Sequence, residues 1–288
     1  MKPPRSAYTL FAANILVWGY NWVPLHILVH RVLPAPLVAA RVAGGALTLA
    51  IALLVMRRPL ALPQTRWFIP VGLLQVTGMM GLSTYALLLG DVSRTTILLF
   101  TMPFWATLFS RYILQERITK RKWAAIAIAT FGLIFIAAHA SGSRAAIAGA
   151  LLSVLAGACW AAGSVLAKKH LSHHDLLNGV MWQQIAGAIP LIAFAAALRE
   201  PLVIPDANTL GLFLFATIAG TGLGWLLWAN VLKRVSASAA ALGSLGIPLV
   251  AAIAAYVQLG ERPDSVTLIG LTAILGAIAI SSWPVTQK

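Results

Sequence analysis

Ten apolar runs, each about as long as a bilayer is thick and parted by gaps too short for a soluble domain, fix what this chain can fold into. They lie at 8–29, 34–56, 67–89, 93–114, 122–139, 145–167, 176–198, 209–231, 237–259 and 265–283. Roughly 20 apolar residues in a helix cross the ~30 Å of hydrocarbon in a membrane. Inside lipid every backbone polar group needs an internal partner, which a helix supplies within itself. The gaps hold turn-formers and charges: Arg57-Arg58-Pro59, Asp91, Ser141-Gly142-Ser143, Arg199-Glu200-Pro201 and Glu261-Arg262-Pro263. Only 10% of the 288 residues are charged and 60% are hydrophobic, whereas about a quarter of a soluble domain is charged. The fold class expected is all-α integral membrane, with ten transmembrane helices.

Lys and Arg number 21 against 7 Asp and Glu, a formal net charge of +14. A basic excess suits either nucleic acid or the anionic cytoplasmic face of a membrane. Its place in short gaps between apolar runs selects the membrane, and no nucleic-acid partner is expected. With both termini cytoplasmic, the inside segments carry fifteen cations and the outside ones five: Arg31, Arg94, Arg144, Arg199 and Arg262. That is the asymmetry of the positive-inside rule. The first apolar run is too long for the core of a cleavable signal. The single cysteine, Cys159, lies between Ala158 and Trp160 and reads as a packed thiol.

The chain also repeats itself. MPFWATLFSRYILQER (102–117) matches IPLVAAIAAYVQLGER (247–262), pairing Pro103 with Pro248 and Glu116 with Glu261 at an offset of 145. Trp18 pairs with Trp160 and Arg41 with Gln183 at 142, and Val92-Ser93 with Val235-Ser236 at 143. Two five-helix repeats are expected, 1–140 and 141–288. Five spans per repeat is odd, so the second must enter the membrane inverted, the usual construction of carriers that alternate access about a central cavity.

Several stretches carry a family likeness: VWGYNWVP (17–24), ARVAGGAL (40–47), PFWATLFSRYILQERIT (103–119) with Gly132 after it, GALLSVLAGACWA (149–161), WANVLKRVSASAAAL (228–242) and IPLVAAIAAYVQLGER (247–262). On these the chain resembles the drug/metabolite transporter superfamily in its ten-span, EamA-type branch. The likeness covers nearly the whole chain, and the Pro-then-Glu-Arg pattern, present twice, is its specific part. Within the family it is most similar to bacterial exporters of aromatic amino acids. The resemblance implies an exporter in the cell's inner membrane with a cavity between its halves. Spans 1, 3, 4, 6, 8 and 9 would line that cavity and spans 5 and 10 would lie outside it. Arg41 sits where the family has a span-2 arginine.

Proline inside a helix removes a donor and frees the carbonyl four residues back. Pro24, Pro103 and Pro248 would free those of Tyr20, Leu99 and Ser244, either as hinges and opened carbonyls or as plain packing kinks. Pro190 reads as a kink. Arg41 is a cation well inside a span, where an ionisable group is costly and tends to mark function or a specific pairing. It either holds a cavity wall or meets a substrate carboxylate, with snorkelling toward the outer end as the bland alternative. The spans contain no clear mid-membrane acid. This argues against proton-coupled drug antiport and for neutral, zwitterionic or anionic cargo. Glu116 with Arg117, and Glu261 with Arg262, read as loop-anchoring pairs.

Aromatic residues are the richest feature. Ring faces with neutral polar neighbours suit amino acids with bulky side chains. Any one ring is more often packed or lipid-facing than functional, yet the expected cavity set is Tyr85, Phe100, Trp105, Trp160 and Trp228, with Asn14, Gln75 and Ser244 as polar partners. GTGLG (220–224) lacks the Lys-Ser/Thr of a phosphate loop and reads as helix packing. HLSHHD (170–175) is the one stretch suggestive of metal or acyl-transfer chemistry, and it has no further ligands nearby. With no nucleotide-binding motif, no cofactor and no direct use of ATP are expected. The reading is a carrier rather than an enzyme, exporting amino acids or related metabolites. Other metabolites or amphipathic drugs are the alternative cargo, and a membrane-embedded transferase is the remote one.

Overall fold

The computed structural model describes residues 5–115, 143–171, 175–232 and 246–262, with isolated positions in 120–131 and 264–276. The described residues form helices and connections, without a strand. In chain order the helices are α1 (Arg5–Val29), α2 (Pro34–Val55), α3 (Phe68–Leu89), α4 (Val92–Leu99), α5 (Met102–Ile113), α6 (Arg144–His170), α7 (Leu176–Leu198), α8 (207–232) and α9 (Gly246–Leu259). Six apolar stretches are long enough to cross a bilayer: α2, α3, α4 with α5, α6, α7, and α8. The expected runs at 122–139 and 265–283 lie largely outside the described residues.

The polar gap residues set the helix starts. Asp91, Ser143, Asp175 and Asp206 accept hydrogen bonds from the backbone N–H groups of Arg94 (2.6 Å), Ala146 (3.1 Å), Leu177 (3.2 Å) and Thr209 (2.7 Å). Each satisfies an N–H that the helix cannot pair internally. Left-handed residues set some of the ends. Arg57 (φ 54°) and Arg199 (φ 55°) follow α2 and α7 at an offset of 142, and Gln115 (φ 57°) and Gly260 (φ 68°) follow α5 and α9 at 145. Only Gly adopts this conformation without steric cost. The stops therefore recur at the sequence repeat.

The sequence reading placed Pro103 inside one continuous span, and here the structure differs. The span breaks after Leu99, and Met102-Pro103 begins a new helix. At a helix start the missing proline N–H costs nothing. The Thr101 hydroxyl donates to the Leu98 carbonyl at 2.7 Å and covers part of the break. Pro24 and Pro190 lie within α1 and α7 without ending them. Pro248 is the third residue of α9.

α2 packs most extensively on α7. The pair is antiparallel, since Arg58, beyond the C-terminus of α2, meets Asp175 at the N-terminus of α7 at 3.0 Å. At the other end Arg31, ahead of α2, approaches Asp206, beyond α7, at 3.6 Å. α1 lies against α8 and α9, while α6 lies against α3, α4 and α5; α2 touches α8 as α7 touches α3. Exchanging 1 with 6, 2 with 7, 3 with 8, and 4–5 with 9 maps the α2–α7 contact onto itself and each of the others onto another.

Glycines let these helices touch. A β-carbon on Gly45 would strike Thr221 and Gln184, and one on Gly187, its mate at 142, would strike Val76 and the Gly72 carbonyl. In GTGLG, Gly220 faces Asn21, Gly222 faces Thr48 and Gly224 faces Trp18, so the motif is a close-approach surface. Leu47, Ile51, Leu54 and Val55 on α2, with Leu151 and Leu155 on α6, are exposed, as suits helices whose outer faces meet lipid.

Candidate functional site

A cavity lies among the helices, walled by α1, α3, the α4–α5 break, α6, α8 and the start of α9, with Arg41 reaching in from α2. Over the positions that a water centre can occupy its volume is about 90 Å³. One water needs roughly 10–15 Å³ on that measure, so the space takes several waters or one small organic solute.

Five tryptophans line it: Trp18, Trp22, Trp160, Trp225 and Trp228. Trp18 is the hub: its ring centre lies 6.1 Å from Trp160, 6.0 Å from Trp225 and 5.6 Å from Trp228, the first two edge-on. Trp160 and Trp225 lie 5.0 Å apart. Trp22 and Phe100 continue the surface. Rings from both halves of the chain thus meet around one space.

Two π-helical stretches flank it, Leu73–Gly78 in α3 and Phe215–Leu223 in α8, at matching places in the repeat. A π turn shifts the backbone ladder by one residue and commonly marks a functional site. Side chains from other helices bond the backbone of the second stretch and its end. Trp18 Nε1 donates to the Gly220 carbonyl at 3.0 Å, Gln184 to Thr221 at 3.3 Å and Asn14 to Gly224 at 2.9 Å. At the first stretch, Gln75 donates to Ser164 Oγ at 2.9 Å, and Thr77 to the Gly187 carbonyl at 2.7 Å.

Arg41 is 3% exposed. Its Nη1 lies 3.5 Å from Thr221 Oγ1, and its Nε has no hydrogen-bond partner. The Thr221 hydroxyl already donates to the Ala216 carbonyl at 2.9 Å, which leaves its lone pairs toward the guanidinium. Gln184 Oε1 and Thr217 Oγ1 are also buried without partners.

Toward the face bearing Arg31 an apolar plug lies against the cavity; it includes Val23, Leu28, Leu37, Leu87, Val92 and Ala251, all fully buried. Polar ties lie over the plug. Glu261 accepts from the Val92 N–H at 3.0 Å, the Ser93 N–H at 3.3 Å and the Ser93 hydroxyl at 3.2 Å. Arg94 meets Asp264 at 3.5 Å. The sequence reading paired Glu261 with Arg262; the carboxylate instead holds the N–H groups that begin α4 and have no partner within the helix, where a helix end favours negative charge. Burial pushes the Glu261 carboxyl above its ordinary value, the Val92 N–H pulls it back and nearby Asp91 adds to the rise. At the opposite face Asn178 donates to the Pro59 carbonyl at 3.1 Å, Lys169 to that of Ile113 at 3.1 Å, and Trp67 stacks on His170 with centroids 3.7 Å apart.

Of the residues expected at the cavity, Phe100, Trp160, Trp228 and Arg41 line it. Tyr85, Trp105, Asn14 and Gln75 do not. Asn14 and Gln75 tie helices together, as given above, and Trp105 stacks along its own helix on Phe109, 6.2 Å away. Ser244 lies outside the described residues, as do His173, His174, Glu116 and Arg117. Asp175 of the HLSHHD stretch caps α7. The described residues contain no group of three His, Cys, Asp or Glu placed to hold a metal. Sequence reasoning did not select Trp18, Trp22, Trp225 or the methionines 79 and 80. The one available signal was the Trp18–Trp160 match between repeats.

The sequence profile described as "EamA-like transporter family" matches residues 5–138 and again 147–283. The uncharacterized transporter YoaV of Bacillus subtilis is 28% identical, the match covering 92% of this chain and 90% of that one. Proteins described as "probable amino-acid metabolite efflux pump" from Salmonella typhimurium and Escherichia coli are 26% and 24% identical, each over 93% of this chain and 91% of theirs. One solved crystal structure, 21% identical, superposes with a TM-score of 0.69 over 96% of each chain, which shows a shared fold.

Proposed function

We propose that the chain, which belongs to the EamA-like transporter family, is a secondary carrier that exports amino acids, aromatic and other bulky neutral ones, or closely related metabolites. The observation that carries this reading is the tryptophan-lined cavity, built from both halves of the chain, with a plug and a few polar ties against it toward one face. A ring-shaped solute would stack in such a space, and its polar ends would find neutral groups such as Asn21 and Ser83. The two relatives described as amino-acid metabolite efflux pumps support the choice of cargo.

In this reading residues 1–140 and 141–288 are inverted repeats, and the termini face the cytoplasm across the inner membrane. The antiparallel α2–α7 pair, the contacts that survive exchange of the halves, and the left-handed stops at offsets of 142 and 145 support the inversion. The excess of cations at the Arg58 face supports the orientation. Rocking of one half against the other would release Glu261 from α4 and open the plugged side, as carriers of this construction alternate access. Solute biases that equilibrium only by binding the two states differently. Phe100, Trp160 and Trp228 are the proposed solute contacts.

The test is exchange in proteoliposomes. Labelled threonine, methionine, phenylalanine and tryptophan are each offered to vesicles loaded with the unlabelled compound. Saturable exchange of the aromatic pair is expected; uptake of all four no faster than into protein-free vesicles overturns the assignment.

A further inference from the structure

We propose that Arg41 anchors the carboxylate of the transported solute, and that the cavity selects ring-bearing organic anions in which an amino group is dispensable. This rests on the carrier reading above and names its substrate class. Arg41 is buried and lines the cavity, yet its one hydrogen bond is long and its Nε has no partner. A guanidinium offers five N–H donors in a planar fork that fits the two oxygens of a carboxylate. An unpaired buried charge is costly, and the chain gains by acquiring a partner for it.

The chain itself offers no such partner among its described residues. It has seven acids, six of them described. Asp91, Asp175 and Asp206 cap helices, Glu261 holds α4, Asp264 faces Arg94, and Glu200 lies in the connection after α7. None of them pairs with Arg41 or lines the cavity. Among the described residues the cavity wall therefore carries one positive charge and no negative one. A solute bearing a lone carboxylate neutralises it; a zwitterion leaves its ammonium among ring faces and neutral oxygens, and an amine repels Arg41 outright. The rings of Trp18, Trp22, Phe100, Trp160, Trp225 and Trp228 in the same wall take the solute's ring.

Three compounds that differ only in these groups separate the cases: 3-phenylpropanoate, phenylalanine and phenethylamine. Binding to purified full-length protein in detergent is measured by calorimetry. Phenylpropanoate is expected to bind at least as tightly as phenylalanine, and both at least tenfold more tightly than phenethylamine. Arg41→Gln should weaken the two acids at least tenfold and tighten the amine, with Arg41→Lys between for the acids. Should Arg41→Gln fail to fold, the series on the unaltered protein still decides. Equal binding of amine and acids, or no binding of any of the three, overturns the proposal. Exchange of labelled phenylalanine in vesicles without carboxylate preference would keep the carrier and remove the role of Arg41. Binding through Arg41 without any exchange would do the reverse.

Discussion

Trp18 Nε1 donates to the carbonyl of Gly220 at 3.0 Å, so the first helix of the chain holds the π-helical backbone of the eighth. The same ring is the hub of the tryptophan cluster. Trp18→Phe keeps a ring but removes the donor, leaving a carbonyl beside the cavity without its partner. A loss of about 1–3 kcal/mol in stability is expected. Trp18→Ala also empties the cluster and should cost about 3–5 kcal/mol. Thermal melting of the detergent-purified variants, ranked against the unaltered protein, checks both. Melting of both variants at the temperature of the unaltered protein would mean that neither the bond nor the ring supports this arrangement.

The tie from Glu261 to the start of α4 should respond to pH. Burial raises the carboxyl of Glu261, the Val92 N–H lowers it and Asp91 raises it, for a net rise. The tied state therefore binds a proton more readily than a state in which Glu261 meets water. Stabilisation of the tied state is full below the ordinary carboxylate value of ~4.3 and is lost as pH rises through the raised value. A cysteine in place of Leu25, which lines the cavity, reports opening of that face to an impermeant maleimide when Cys159 is replaced by Ala. Labelling should slow as pH is lowered across that interval. Glu261→Gln, which cannot titrate, should flatten the dependence. An unchanged profile in that variant would assign the pH response to another group.

Much of the helical layout can be read from the sequence because lipid leaves the backbone few choices. The stretches 34–56, 176–198 and 145–167 reappear as α2, α7 and α6 with ends moved by at most a few residues. Helix starts follow from Asp91, Ser143 and Asp175, whose side chains have one obvious use at a gap. The site was harder to read. Phe100, Trp160, Trp228 and Arg41, which line the cavity, stand out in the sequence because a ring or a charge inside a span needs a reason. Asn14 and Gln75 draw attention for the same reason, since an amide in a span needs a partner, and in the structure they bond a carbonyl and a hydroxyl on neighbouring helices. The π-helical stretches left no mark in composition. They depend on which helix packs where, and Trp18, whose importance comes from its contact with one of them, was passed over.

Close approach at Gly45 and Gly187 gives a paired prediction. Each lies where a β-carbon meets another helix, and neither has a backbone angle that requires glycine. Gly45→Val and Gly187→Val should each cost about 1–3 kcal/mol by overpacking. Gly179, on α7 with nothing within 4 Å of an added β-carbon, serves as the control. Gly179→Ala should be neutral or stabilise by up to about 1 kcal/mol through backbone entropy. Melting temperatures and monodispersity in detergent measure all three. If valine at Gly45 and Gly187 is tolerated as well as alanine at Gly179, the contacts of α2 with α7 and α8, and of α7 with α3, are looser than described.

The antiparallel α2–α7 pair makes the most direct prediction about topology. Arg31 with Asp206, and Arg58 with Asp175, stand at opposite ends of a 22-residue helix, about 33 Å apart by its rise. The exposed pairs themselves contribute little, about 0–1 kcal/mol each, and the caps lost with Asp175 or Asp206 about 0.5–2 kcal/mol, so each single replacement should leave the fold intact. Single cysteines at these four positions, with Cys159 replaced by Ala, then report which face each occupies. Positions 31 and 206 should react with an impermeant maleimide in whole cells, and 58 and 175 only after the membrane is opened. Reaction of 31 and 58 from the same side would mean that α2 does not cross the bilayer. Reaction of 58 and 175 from outside, with 31 and 206 protected, would reverse the orientation and place the Glu261 tie and the apolar plug on the cytoplasmic face.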